Sequence, residues 1–200
     1  VSTEVLRGSA RRFLGDEVTF DFSTYDGKAL AAVKLQDREY AKECLILCDF
    51  AWPMRYIRHS ADHIGDPTIE SRILSAVSGQ EMGEAELWHL GERVFNLQRA
   101  ILSREGHGGR QGDALPESDY TVPLKYERGN PECILPGKGD EIISRKGAVI
   151  DREKFEKVKD EYYQLRGWDV KTGLQTKAKL EALELNDIVP ELVKRGLLVV

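Results

Sequence analysis

Apolar residues in this chain recur mostly at spacings of three and four, a period that predicts helices over most of its length. Glu84 to Arg104 is the clearest case: Leu87, Leu90, Val94, Leu97 and Ile101 share one face, and Gly106 supplies a stop. A second helical pattern follows the Asp26-Gly27 turn and runs to Cys48. Leu30, Val33, Ala41, Cys44 and Leu45 are among its apolar positions, and Trp52-Pro53 breaks it. Asp66 and Pro67 suit the N-cap and first residue of a helix through Val77, closed by Gly79. Asp151 caps another that turns Phe155, Val158, Tyr162 and Leu165 inward and ends at Gly167. Thr176 caps the next, with Leu180 and Leu183 on one face. A last short helix covers Ile188 to Lys194, with Pro190 tolerated in its first turn.

Two stretches depart from this period. Between Asp16 and Tyr25 the apolar residues Val18, Phe20 and Phe22 alternate, which predicts a short extended segment. From Gly106 to Gly147 the chain holds eight glycines and four prolines and shows no period at all. A connection of that length usually carries a function or lies across a partner domain. The prediction is an all-α, multihelical domain with a long irregular loop and at most one short strand. The loop suggests two subdomains: residues 1–105, the connection 106–150, and a C-terminal helical part 151–200.

Composition narrows the function classes. Of 200 residues, 41% are hydrophobic and 32% charged, ordinary values for a globular chain. A net charge of −5 gives no electrostatic reason to expect nucleic acid. The interleaved charges of Arg152-Glu153-Lys154 and Lys157 to Glu161 describe a solvated helix face. No apolar run approaches the roughly 20 residues that span a bilayer, and no signal peptide is visible, so no membrane partner is expected. Val1 in place of Met suggests an excised or processed piece. Three cysteines are too few for a disulfide scaffold and point to a reducing, cytoplasmic setting.

The cysteines are the residues richest in chemistry. Thiolates hold iron–sulfur clusters, which normally need four of them. Cys44, Cys48 and Cys133 cannot complete such a cluster alone, and a lone helical cysteine is usually a small buried hydrophobe. Cys44-x3-Cys48 followed by His59-x3-His63 also resembles a two-cysteine, two-histidine zinc set, because i, i+4 pairs share a helix face. A stand-alone zinc-binding or interaction module is therefore the alternative reading. Other features carry less. The Gly106 to Gly112 run follows a helix and lacks the Lys-Ser/Thr ending of a phosphate loop. His89, in mid-helix, reads as structural, and Tyr162, Tyr163 and Trp168 read as packing groups with hydrogen-bonded polar tips. No catalytic residue can be assigned from order alone.

Leu35-Gln36-Asp37, Glu43 to Cys48, Gly91-Glu92-Arg93, Asp113-Ala114-Leu115-Pro116 and Tyr162 to Asp169, taken in their order and spacing, resemble the C-terminal part of the tungsten-dependent aldehyde ferredoxin oxidoreductase family. Leu35-Gln36-Asp37 matches a run in one family helix. Glu43-Cys44-Leu45-Ile46-Leu47-Cys48 matches the family's Asp-x-x-x-Leu-Cys, with Glu43 in place of Asp. Gly91-Glu92-Arg93, Arg104-Glu105-Gly106 and Asp113-Ala114-Leu115-Pro116 follow, although Leu102-Ser103 stands where the family commonly has Phe-Asn. Asp151 to Phe155 and Tyr162 to Asp169 close the match, which covers residues 26 to 185.

The resemblance implies oxidation of aldehydes to carboxylic acids at a tungsten (or molybdenum) bis-pterin centre. Electrons leave through a [4Fe-4S] cluster to ferredoxin or another carrier. Cys48 would be the fourth cluster ligand, while Glu43, still an acceptor, and the Leu47 backbone would help hold a pterin. The N-terminal domains of the same enzyme would bring the other three cysteines and most of the cofactor site. The isolated fragment is expected to bind no cofactor and to be inactive.

Overall fold

A computed structural model describes residues 3–48, 61–126 and 128–200. The chain is mostly helical, with α1 Thr3–Ser9, α2 Lys28–Cys44, α3 Ile69–Ser78, α4 Glu84–Arg104, α5 Glu117–Thr121, α6 Arg152–Arg166, α7 Lys177–Ala182 and α8 Val189–Lys194. The expected all-α, multihelical class is what the chain adopts. Helix α4 has the bounds that its period predicts. The caps Asp151 and Thr176 accept from the Lys154 and Lys179 amides, and Gly79 and Gly167 close their helices in the left-handed region.

Helix α2 is the centre of the packing, lying against both α4 and α6. Its crossing with α4 is unusually close at Gly91: a Cβ there would stand 1.9 Å from the Asp37 carbonyl oxygen. Only glycine permits that approach, which gives the Gly-Glu-Arg motif a steric reason. One apolar core joins α7, α8 and the second half of α4 through Ala100, Leu180, Leu183 and Leu192. A smaller one gathers Phe13, Leu14 and Ala31 near the N-terminus.

Four expectations are corrected. The alternating segment after Asp16 is a 3-10 turn over Glu17–Phe20, because the Asp16 carboxylate and carbonyl bind the Val18 amide (2.9 Å) and the Thr19 hydroxyl (2.6 Å). Strands occur instead inside the long connection, as an antiparallel hairpin of β1 Ile134–Pro136 and β2 Ile142–Ser144. Arg7 anchors that hairpin, donating to Asp140 at 2.9 Å and to the Gly137 carbonyl at 3.3 Å. Helix α3 starts at Ile69, since Asp66 spends its carboxylate on the Thr68 amide and hydroxyl. On α6 the buried face is Lys159, Tyr163 and Arg166, whereas Leu165 is exposed. Long side chains with hydrogen-bonding ends take the inward positions there, and the apolar pattern cannot see them.

Candidate functional site

The Cys48 segment begins where α2 ends. The sequence pattern carries the helix to Cys48, but it stops at Cys44, and the next residues form a C-terminal capping turn. The Ile46 amide donates to the Glu43 carbonyl (2.9 Å) and the Leu47 amide to the Lys42 carbonyl (3.2 Å). Both bonds belong to the Schellman pattern, which places its pivot in the left-handed region. That pivot is Ile46, at φ 61° and 93% exposed. A β-branched residue holds this conformation only at a cost, and such strain collects at functional segments.

Beyond the pivot the chain leaves the helix axis, and Cys48 is exposed, as is Cys44. Glu43 is exposed too, with Lys42 Nζ at 3.9 Å, while Lys42 itself is buried and bound to Glu39 at 2.5 Å. Leu47 is half-buried. Cys133 is 2% exposed and lies in the hairpin region, outside this group. The third cysteine is therefore a buried side chain and not a ligand presented to a partner.

A complete metal site needs more donors than this tip supplies. Among the described residues no group of three His, Cys, Asp or Glu side chains could hold a metal ion. Cys44, Cys48 and His63 thus do not converge as the zinc reading requires, and His59 lies outside the described residues. The helix end presents two exposed thiols, Cys44 and Cys48, and the exposed Glu43 carboxylate.

Two polar networks tie the helices together; the sequence foretold the hydrogen-bonded tips of their aromatic residues but not the buried arginine–carboxylate pairs at their centres. The first joins Leu35-Gln36-Asp37 to the Tyr162–Trp168 motif. Arg166, 0% exposed, donates to Asp37 (2.5 Å), the Gln36 side chain (2.9 Å) and the Val33 carbonyl (3.2 Å). Its guanidinium lies 4.3 Å from the centre of the Phe95 ring. Tyr162 donates to Gln36 Oε1 (2.6 Å), and Trp168 Nε1 donates to Asn96 Oδ1 (2.9 Å). These are the hydrogen-bonded tips expected of those aromatic residues. Burial outweighs Arg166 and pushes the Asp37 carboxyl up.

The second network centres on Asp113. Arg99 grips it with two bonds (2.7 and 2.6 Å) and the Tyr163 hydroxyl adds a third (2.7 Å). His107 Nε2 stands 2.9 Å from Asp113 and 2.7 Å from Arg99. Burial alone would raise the Asp113 carboxyl, but the bonds from Arg99 and Tyr163 and the neighbouring positive charge hold it below the usual range. Burial and the bond to Asp113 push the Tyr163 hydroxyl well up. The glycines of this loop serve packing: a Cβ on Gly109 would come within 2.3 Å of the Thr172 carbonyl oxygen. The Asp-x-Leu-Pro motif marked Asp113, and Tyr163 was expected to have a hydrogen-bonded tip, but no signal tied either to Arg99 or His107. His89 is exposed on α4, 3.8 Å from Glu92.

A sequence model of the family "Aldehyde ferredoxin oxidoreductase, domains 2 & 3" matches residues 3–185. The chain belongs to that family and is accordingly part of an oxidoreductase. No described helix is long and apolar enough to cross a membrane.

Proposed function

We propose that this chain is the C-terminal part of a cytoplasmic enzyme that oxidises aldehydes to carboxylic acids, water supplying the added oxygen while two electrons and two protons depart. The bound tungsten (or molybdenum) bis-pterin would supply the oxidation chemistry, and a [4Fe-4S] cluster would carry electrons toward ferredoxin or another carrier. Within this chain Cys48 gives the cluster one thiolate. Glu43 accepts hydrogen bonds from the pterin, and the Leu47 backbone adds a further contact.

The capping turn sets the exit of the chain: its two amide bonds fix where it leaves α2, and Cys48 follows that turn as an exposed residue. The surrounding networks keep α2 from shifting when a partner domain docks. The observation that carries the reading is the exposure of Cys48 on a turn with no other metal-binding group among the described residues. On its own the chain is inactive and binds no cofactor.

The test is reconstitution with the N-terminal domains. The assembled enzyme should contain iron and tungsten (or molybdenum) and reduce ferredoxin with an aldehyde as donor. An assembled enzyme with the metals in place but no aldehyde-dependent reduction would overturn the reaction. Zinc bound stoichiometrically by this chain alone would overturn the assignment of Cys48.

A further inference from the structure

A cleft of about 470 Å³ lies between the Ser23–Asp26 turn, the segment from Arg145 to Val149 and the first three turns of α6. Its size is within the range of small-molecule sites, roughly 300–1,000 Å³. We propose that this cleft binds a phosphate monoester with a small apolar ester group. The proposal requires nothing of Cys48, since no residue of the α2 tip lines the cleft.

The unengaged polar groups of the lining are mostly donors. Arg145 bonds through its backbone, its amide to the Cys133 carbonyl (2.9 Å) and its carbonyl to the Ala148 amide (3.0 Å). Its half-buried guanidinium has no hydrogen-bond or ion-pair partner among the described residues. Lys157, one turn further along α6 than Lys154, has no ion pair among them either. The Tyr25 hydroxyl oxygen accepts from the Asp151 amide (2.8 Å) and Thr24 Oγ1 from the Asp26 amide (3.1 Å), which leaves each O–H free to donate. A charged acceptor forms the strongest bonds with such a set.

Three carboxylates line the same cleft, and two of them are engaged. Asp151 accepts the Lys154 amide (3.0 Å) and stands 3.8 Å from Lys154 Nζ. Asp26 acts on Lys28, whose ammonium donates to the Asp26 carbonyl at 3.2 Å. That leaves the cations Arg145 and Lys157 against the single carboxylate of Glu161, an excess of positive charge that an anion would balance.

A phosphate monoester suits this set better than a carboxylate. It carries a charge of about −1.5 to −2 at neutral pH and three terminal oxygens, enough acceptors for a guanidinium fork, an ammonium and a hydroxyl together. Val149 and Val158 supply apolar lining, and Val149 is 41% exposed, so an apolar ester group has a surface to cover.

Phenyl phosphate titrated against the full chain by calorimetry tests the proposal, with inorganic phosphate and phenol as controls. Phenyl phosphate should bind, with each control at least about tenfold weaker, a difference of roughly 1.4 kcal/mol. Arg145→Gln should weaken phenyl phosphate by about tenfold or more, whereas Lys194→Gln, on α8 and outside the cleft, should leave it unchanged. Lys157→Gln, at an exposed position of α6, should also weaken binding and decides the matter if Arg145→Gln fails to fold. No binding of phenyl phosphate, inorganic phosphate binding as tightly, or unchanged affinity in a folded Arg145→Gln or Lys157→Gln protein would overturn it. An equal loss in Lys194→Gln would do so too, by showing a response to net charge alone.

Discussion

Arg166 Nη1 donates to Asp37 at 2.5 Å, joining positions 129 residues apart inside the protein. This bond ties α6 to the helix whose end presents Cys48. Arg166→Met removes the guanidinium and leaves Asp37 buried without its ion partner, which costs about 3–5 kcal/mol. Urea unfolding should show that loss as a lower midpoint, since it is a large share of the roughly 5–15 kcal/mol that holds a typical domain folded.

The two arginine-bound carboxylates respond to acid in opposite senses. Asp113 sits below its ordinary value of 3.8, so its contribution is complete above about pH 4 and is lost as the pH falls through its folded value. Asp37 sits above 3.8, so its contribution is present at lower pH and fades as the pH rises through its folded value. The stability advantage of the wild type over Asp113→Asn should therefore shrink on acidification below about pH 4. Measured against Asp37→Asn, the wild type should gain over the acid range. Chemical unfolding at a series of pH values reads both slopes.

Ile46 holds a left-handed conformation in which nothing else buries its side chain. Ile46→Gly removes the strain without removing packing. It should stabilise the chain by about 1 kcal/mol, net of the extra freedom glycine gives the unfolded state. For a protein of this size the melting temperature would rise by roughly 2–4 °C. A fall in melting temperature would show that the exposed isoleucine has a packing role.

Gly91→Ala places a methyl group where the Asp37 carbonyl oxygen stands. The α2–α4 contact must widen, at a cost of about 1–3 kcal/mol as in other overpacked sites. Thermal unfolding checks the magnitude, and an unchanged melting temperature would contradict the close crossing.

The apolar period made α4 legible to the residue, and the side-chain caps Asp151 and Thr176 were equally plain, because both signals are local. The end of α2 was not. Leu45 and Leu47 continue an apolar run after Cys44, and only the left-handed turn at Ile46 shows that the helix has stopped. The hairpin in the long connection has strands of three residues each, too short to establish an alternation. The buried networks were hidden for a different reason. Arg166, Arg99 and Asp113 look like surface residues until partners such as Asp37 and Tyr163, far away in sequence, are brought to them. The family motifs pointed to these positions, but their physical reason, bracing rather than chemistry, required the fold.

The central claim is that Cys48 supplies a thiolate to a cluster completed by other domains of the enzyme. Electron paramagnetic resonance of the dithionite-reduced, assembled enzyme tests it most directly, comparing Cys48→Ser with Cys44→Ser. The account predicts that Cys48→Ser loses or reshapes the [4Fe-4S] signal and lowers iron content, while Cys44→Ser keeps both. An unaltered signal and full iron content in Cys48→Ser would contradict it.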